Sequence, residues 1–107
     1  MANHRRGEIE AVLDGVPFRL CLTLGALADL ESAFGAEDMV ALAQRFSGGR
    51  IAARDAIRII GAGLRSGGHV IDDASVGEMR VDGGATGFID IVARLLRATF
   101  GGDEGGA

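Results

Sequence analysis

One fifteen-residue block constrains the fold more than any other part of the chain. It runs from Cys21 to Gly35 and reads Cys-Leu-Thr-Leu-Gly-Ala-Leu-Ala-Asp-Leu-Glu-Ser-Ala-Phe-Gly. Thr23 is a candidate N-cap, because a threonine hydroxyl accepts a hydrogen bond from a free amide of the first helical turn. Four apolar residues follow at helical spacing: Leu24, Leu27, Leu30 and Phe34. Gly35 stands where a left-handed residue ends a helix without steric cost, so the block predicts a strand end followed by one short helix.

Two segments in which apolar and polar residues alternate lead into this block. They cover residues 7–13 and 17–23, and Asp14-Gly15 lies between them. This dipeptide is a strong hairpin signal, because Asp and Gly tolerate the positive φ angles of a type I′ turn. The sequence therefore predicts a β-hairpin that pairs the two segments. An alternative, in which Leu20–Leu24 extends the first helix backwards, stays open.

Helical periodicity continues through the rest of the chain. It predicts four further helices: residues 37–46, residues 52–65, a short helix that Asp72 or Asp73 caps and that holds Val76 and Met79, and residues 84–100. Glu37 and Asp38 are expected in the first turn of the 37–46 helix, where they complement its dipole. Gly48-Gly49 is expected to end that helix.

Two glycines lie inside the helix predicted over residues 52–65. Gly61 and Gly63 each lower its propensity by about 1 kcal/mol, so another element is expected to pack closely against them. The whole pattern predicts an α+β fold, with an N-terminal β-hairpin followed by a bundle of four to five short α-helices. The expected organisation is a flexible N-terminus over 1–6, a single globular domain over 7–100 and a disordered Gly-rich tail over 101–107.

Composition excludes several classes of protein. A hydrophobic fraction of 48% predicts a packed globule. The net charge of −4 argues against a nucleic-acid binder, which needs a basic surface. The single cysteine cannot form an intrachain disulfide or a Cys-rich zinc site. No apolar run is long enough to span a bilayer, and the N-terminus lacks the apolar region of a secretory signal, so we expect a soluble intracellular protein.

The side chains that catalysis or metal binding would require are not grouped in the sequence. His4 and His69 are each expected in solvated segments, without a metal-ligating partner at suitable spacing. Cys21 is interpreted as a small apolar residue. Asp72 and Asp73 are adjacent at a helix start, where capping explains them better than paired acid–base chemistry. We therefore predict no enzymatic activity, no catalytic residue, no cofactor and no metal.

Arginines follow one side of the 52–65 helix. The row consists of Arg50, Arg54, Arg58 and Arg65. Like charges one turn apart repel each other, so the row requires compensation from elsewhere. We predict that Arg54 and Arg58 contribute to binding a partner that supplies acidic residues. The alternative is a solvated face that Asp55 and Glu78 screen.

The predicted helices also carry more apolar surface than a small domain readily covers. The first, third and fifth helices each have a wide apolar stripe. Two interpretations are equally open, a well-filled core and an exposed binding groove.

The order of several segments resembles a known family. These segments are Gly-Glu-Ile-Glu-Ala-Val-Leu-Asp-Gly, Leu-Cys-Leu-Thr-Leu-Gly-Ala-Leu-Ala-Asp-Leu-Glu, Phe-Gly-Ala-Glu-Asp, Ala-Arg-Asp-Ala-Ile-Arg-Ile-Ile-Gly-Ala-Gly-Leu-Arg and Phe-Ile-Asp-Ile-Val-Ala-Arg-Leu-Leu. The series is similar to the gene transfer agent family protein of alphaproteobacteria and covers residues 5–100. That family is grouped with phage tail assembly chaperones, and its members have also been labelled tail tube proteins. It has no catalytic residues to carry over.

The resemblance implies a role in building the tail of a phage-like particle. Proteins of this group hold the tape measure protein in solution until tube subunits polymerise around it. We therefore predict a non-enzymatic tail assembly chaperone, cytoplasmic in the host cell, that binds the tape measure protein and also the tail tube protein, but neither nucleic acid nor membrane. One alternative is a minor structural component of the tail tube or connector, and a weaker one is a nucleic-acid-binding regulator. Self-association into a homo-oligomer is left open.

Overall fold

In the part of the chain that the structure describes, two short antiparallel strands are followed by five helices. A computed structural model describes residues 7–46 and 50–101. The elements are β1 (Ile9–Leu13), β2 (Val16–Leu20), α1 (Leu24–Phe34), α2 (Met39–Phe46), α3 (Ala53–Ser66), α4 (Asp73–Gly77) and α5 (Gly84–Phe100). The predicted α+β class is confirmed. The predicted N-terminus over 1–6, the helix stop at Gly48-Gly49 and residues 102–107 of the tail lie outside the described residues, and the division into one domain stays a prediction.

The hairpin forms because the Asp14-Gly15 turn and the alternation of apolar residues in the two strands favour the same antiparallel pairing. β1 and β2 pair antiparallel, with Ile9 opposite Leu20, and both of these side chains are buried. Asp14 and Gly15 have φ angles of 54° and 75°, as a two-residue type I′ turn requires. The prediction of a hairpin is confirmed, with shorter strands than expected. Because Leu20 pairs within β2, the alternative of a first helix that begins there is wrong.

Helix α1 begins and ends at the residues that the local signals indicate. The Thr23 hydroxyl accepts a hydrogen bond from the Ala26 amide at 3.1 Å, and Gly35 has a φ of 71°. Both predictions are confirmed. Leu24, expected in the apolar stripe, is instead 75% exposed. It lies about 120° around the helix from the buried Leu30, at the edge of the stripe and beyond the reach of the core.

Helix α2 begins two residues later than its predicted start at residue 37. Asp38 Oδ1 accepts a hydrogen bond from the Ala41 amide at 2.8 Å, which makes Asp38 the N-cap. The first helical residue is Met39. The prediction that Glu37 and Asp38 lie inside the first turn is therefore wrong, because a short acidic side chain satisfies more free amides as a cap than within the helix.

Helix α4 uses the first of its two adjacent aspartates as its cap. Asp72 Oδ1 accepts a hydrogen bond from the Ser75 amide at 2.8 Å. This bond lowers the pKa of the Asp72 carboxyl, because it stabilises the charged form. Val76 is buried inside the helix as expected, whereas Met79 follows the end of α4 and is half-buried.

Helix α3 is the element around which the others pack. It contacts β2, α1, α4 and α5. A Cβ added at Gly63 would lie 2.8 Å from Leu95 Cδ2 of α5 and 3.3 Å from Leu20 Cδ2 of β2. A Cβ added at Gly61 would overlap the Asp73 carboxylate of α4. The expected close packing at both glycines is confirmed.

The core is mainly aliphatic, and the hairpin and all five helices contribute to it. Its fully buried large side chains are Ile9, Leu13, Leu20, Leu42, Ile59, Ile60, Leu64, Leu95, Val76 and Val92. Several long-range hydrogen bonds tie the hairpin and the residue after it to the rest of the fold, among them Cys21 N–H to Gly63 O at 3.2 Å, Asp14 N–H to Arg80 O at 2.8 Å, and Arg94 Nη1–H to Glu10 O at 3.0 Å. The hairpin is therefore anchored at several points along its length.

Candidate functional site

Two arginines on α3 are exposed and make no hydrogen bond or ion pair with any residue that the structure describes. They are Arg54 and Arg58, the residues predicted to bind a partner. Arg65 of the same row has an internal role instead. Its guanidinium lies 3.0 Å from the Asp73 carboxylate and donates a hydrogen bond to the Ile71 carbonyl at 3.0 Å. In this row, Arg65 therefore contributes to the internal structure, whereas Arg54 and Arg58 have no partner among the described residues.

The acidic side chains expected to screen the row do not pair with it. Asp55 lies 3.9 Å from the Arg45 guanidinium of α2. That guanidinium also lies over the rings of Phe34 and Phe46, 5.3 and 5.8 Å from their centroids. Within residues 7–46 and 50–101, neither Asp55 nor Glu78 forms an ion pair with Arg54 or Arg58. Among the described residues, therefore, no acidic side chain is paired with Arg54 or Arg58.

Arg58 also lines a groove between α1 and α3, with a volume of about 380 Å³. Asp29 lines the groove from the side of α1, and Arg65 and Asp73 line it from the other side. The remaining lining includes small side chains such as Ala26 and Ala62. The groove is therefore lined by both positive and negative side chains, and its small residues leave space close to the backbone.

A second depression, the apolar groove, lies between α3, α4 and α5. It has a volume of about 260 Å³, and its larger lining residues are Ile51, Ile57, Ile60, Val76, Phe88 and Ile89. The sequence left a well-filled core and an exposed groove open for the stripes of the first, third and fifth helices. In the structure the stripe of α1 packs against α2 and α3, whereas α3 and α5 form this groove together with α4.

The one cysteine has the surroundings of a structural residue. Cys21 is half-buried, and its Sγ–H donates to the Ser66 carbonyl at 3.4 Å. Burial raises the pKa of the Cys21 thiol and the Glu8 charge adds to this effect, while Arg19 opposes it. The thiol is therefore protonated at neutral pH and is a weak nucleophile.

His69 differs from its prediction. Instead of lying in a solvated loop, it is half-buried with its ring edge-on to Phe18, at 5.0 Å between centroids and 87° between planes. The sequence places this histidine in a Gly-rich loop and gives no sign of its partner on β2. His4 lies outside the described residues. Among the side chains that the structure describes, no three His, Cys, Asp or Glu are grouped as metal ligands.

The fold and these surfaces define a small α+β protein whose distinctive exposed features are a pair of unpaired arginines and an apolar groove, both suited to contact with other proteins. None of the helices in the described ranges is both long and apolar enough to cross a membrane. The chain belongs to the family described as Phage tail tube protein, GTA-gp10, whose model matches residues 6–102. No curated protein and no solved structure is significantly similar to it.

Membership of this family confirms the resemblance to the gene transfer agent proteins. It supports a structural role in a phage-like tail, and such a family is not typically enzymatic. The finding is closer to the alternative of a tail tube or connector component than to a chaperone of the tape measure. The tape measure partner, the alphaproteobacterial host and the cytoplasmic location stay predictions.

Proposed function

We propose that this chain is a structural component of the tail of a gene transfer agent particle and acts by contact with other tail proteins. The family match over residues 6–102 is the observation that carries this proposal. Exposed Arg54 and Arg58 and the apolar groove supply surfaces for such contacts.

Arg54 and Arg58 indicate which charged groups a partner would carry. Arg54 and Arg58 lie one turn apart on α3, about 6 Å along its axis. Their mutual repulsion is relieved when carboxylates approach from outside at a similar spacing. Charges of this kind mainly raise the association rate and make binding sensitive to salt, whereas burial of apolar surface in the groove contributes affinity.

The composition of purified particles tests the proposal. A structural component is present in the finished particle at a fixed ratio to the other tail proteins, which quantitative mass spectrometry measures. Complete absence of the chain from particles that carry normal tails would reject the structural role. That result would favour the second candidate.

The second candidate is the tail assembly chaperone that binds the tape measure protein. The apolar groove favours it, because an amphipathic helix can lay its apolar face into a groove of this kind. Many weakly bound copies along one long helical chain would cover it by avidity and remain displaceable by tube subunits. In this case the tape measure protein stays soluble when it is produced with the chain and aggregates when it is produced alone.

A double charge reversal tests the site under either function. Arg54→Glu/Arg58→Glu should fold normally, because both side chains are exposed, and it should lower incorporation into particles or capture of the tape measure protein. Arg80→Glu/Arg97→Glu is the matched control, since it changes the net charge equally at two exposed positions elsewhere. Normal behaviour of the first variant at low salt would show that the arginine row is only a solvated face.

We place the assembly step in the cytoplasm of an alphaproteobacterial host. Nucleic-acid binding, the weaker alternative, is tested by titration with duplex DNA at several salt concentrations. With a net charge of −4 we expect no salt-dependent binding.

A further inference from the structure

The two-residue turn of the hairpin determines which backbone groups of its strands face outward. Leu13 and Val16 flank this turn, so they form a hydrogen-bonded pair. Hydrogen-bonded and non-hydrogen-bonded pairs alternate along an antiparallel ladder, and the backbone groups of the latter point away from the partner strand. The residues whose N–H and C=O groups face outward are therefore Glu10 and Val12 on β1, and Pro17 and Arg19 on β2.

The outer edge of β2 is closed. The Cys21 amide, just after this strand, donates to the Gly63 carbonyl of α3 at 3.2 Å. A Cβ added at Gly67 would overlap the Arg19 carbonyl oxygen, so the end of α3 covers this edge closely. Pro17 has no N–H to offer to a further strand. Covering and proline are two means by which proteins keep a strand edge from pairing.

The outer edge of β1 is open around Val12. The Glu10 carbonyl accepts a hydrogen bond from Arg94 of α5 at 3.0 Å, and the Asp14 amide donates to the Arg80 carbonyl at 2.8 Å. Between them Val12 is 52% exposed, and its outward N–H and C=O have no partner among the residues that the structure describes. Such an unpaired donor and acceptor on a strand form a template for an extended chain.

A groove lies beside this open edge and is called the edge groove below. Its volume is about 750 Å³, which is within the range of ligand-binding clefts. The residues of β1 and of the hairpin turn line one side of it. Val81 of the loop before α5 and Gly87 and Ile91 of α5 line the other side. The edge groove therefore offers space next to the unpaired backbone groups of Val12.

The lining of the edge groove is acidic. Its charged residues are the four carboxylates of Glu10, Asp14, Asp82 and Asp90 and the two guanidinium groups of Arg80 and Arg94. Four negative and two positive charges leave an excess of two negative charges. Asp90 is paired with Arg94 at 3.1 Å, whereas Glu10 and Asp82 are exposed and form no ion pair among the described residues.

These backbone groups and charges select one kind of occupant. A helix uses its backbone groups internally, so only an extended chain can pair with Val12. Two copies of this chain paired through their β1 edges would bring two acidic linings together, and like charges at an interface disfavour binding. A basic, extended segment of a different protein satisfies both the unpaired backbone groups and the excess charge.

We propose that the open edge of β1 binds an extended basic segment of a different protein, which adds a third strand to the hairpin. The backbone of this segment bonds to the N–H and C=O of Val12, and its Arg or Lys side chains approach Glu10 and Asp82. Main-chain pairing supplies affinity, and the charges select the segment. This surface is separate from Arg54, Arg58 and the apolar groove, and it serves a tail component and an assembly chaperone alike.

A hexapeptide of alternating Arg and Val, acetylated and amidated at its ends, is the probe. It is titrated into the isotope-labelled full chain and followed by NMR. We expect the Val12 amide resonance to shift and its hydrogen exchange to slow, because the N–H becomes bonded in the complex. The same peptide with methyl groups on its central amide nitrogens cannot pair and should bind at least about tenfold more weakly. A peptide with Glu in place of Arg should bind more weakly as well.

A substitution at Val12 tests the backbone contribution from the side of the protein. Val12→Pro removes the outward N–H and leaves the pairing with β2 intact, since Pro17 already occupies the opposite position. It should weaken binding of the Arg-Val peptide by about fivefold. Val12→Thr is the matched control, because it retains the N–H and a β-branched side chain, and it should bind like the unmodified chain. Circular dichroism establishes that both variants are folded.

A double neutralisation tests the charges. Glu10→Gln/Asp82→Asn should weaken binding of the Arg-Val peptide by about threefold or more at low salt and make it less sensitive to salt. Asp29→Asn/Glu37→Gln is the matched control, since it removes the same two charges at exposed positions away from the edge groove. This control should bind like the unmodified chain.

Several results would overturn the inference. An unchanged Val12 amide at saturating peptide, equal binding of the methylated peptide, or equal binding of the Glu peptide would each do so. Folded Val12→Pro that binds as tightly as Val12→Thr has the same meaning, and if Val12→Pro does not fold, the methylated peptide decides the question on the unmodified chain. Protection of the Val12 amide that rises with the concentration of the chain alone would identify a second copy as the occupant. Particle composition tests the proposed function separately, because peptide binding at this edge does not depend on whether the chain stays in the particle.

Discussion

Replacement of Gly63 by alanine tests how closely α3 approaches its neighbours. The added Cβ would lie 2.8 Å from Leu95 Cδ2 and 3.3 Å from Leu20 Cδ2. Both leucines are 0% exposed, so neither side chain can turn into solvent to make room. Overpacking of a core costs about 1–3 kcal/mol, whereas the higher helix propensity of alanine returns about 1 kcal/mol. We expect Gly63→Ala to lower the free energy of unfolding by about 1 kcal/mol.

Gly61→Ala, half a turn away on the same helix, is the control. Its Cβ would meet the Asp73 carboxylate and the Arg65 guanidinium, which lie on the surface with side chains 41% and 44% exposed. These flexible groups can move into water, and a surface ion pair is worth at most about 1 kcal/mol. Loss of the pair and the gain in helix propensity nearly cancel, so this variant should remain within about 0.5 kcal/mol of the unmodified chain.

Urea unfolding followed by far-UV circular dichroism measures both variants against the unmodified chain. The midpoint should fall for Gly63→Ala and stay nearly unchanged for Gly61→Ala, with similar slopes for all three proteins. If Gly63→Ala is as stable as Gly61→Ala, the contact between α3, β2 and α5 has room for a methyl group, and close packing is not what requires glycine at position 63.

Two further predictions concern single side chains. Thr23→Ala removes the cap on the Ala26 amide and should destabilise the fold by about 1 kcal/mol in the same assay, while Thr23→Ser should retain most of the stability. Cys21 should react slowly with iodoacetamide at neutral pH and faster as the pH rises, because its raised pKa keeps the thiol protonated. Removal of a nearby negative charge by Glu8→Gln should lower that pKa and speed the reaction, and a slower reaction would contradict the assigned cause.

The sequence predicts best those features that depend only on residues close together in the chain, such as turns and helix caps. The Asp14-Gly15 turn, the Thr23 cap and the left-handed Gly35 each depend on backbone conformation and on neighbours a few residues away. Leu24 is a residue for which local spacing gives the wrong prediction. Helical spacing assigns it to the apolar stripe, but how far the core extends around α1 is decided by α2 and α3, which local spacing does not describe.

In the candidate site, too, the sequence predicts the local features but not those that depend on how the helices pack together. The exposure of Arg54 and Arg58 follows from their position on the side of α3 opposite its apolar residues. The internal pairing of Arg65 with Asp73 depends on how α4 folds back onto α3, and the same packing creates the apolar groove.

The hydrogen bonds that anchor the hairpin also determine when it can fold during synthesis. Arg80 bonds to Asp14 across 66 residues, and Arg94 bonds to Glu10 across 84 residues. A two-stranded hairpin is at best marginally stable alone in water, so β1 and β2 become stable only after α3 and α5 have been made. Until then the nascent chain exposes strand edges that can pair with other chains. A product that stops before α5 lacks the Arg94 side chain that donates to the Glu10 carbonyl of β1 and is expected to aggregate, so stable folding of the hairpin follows the synthesis of α5.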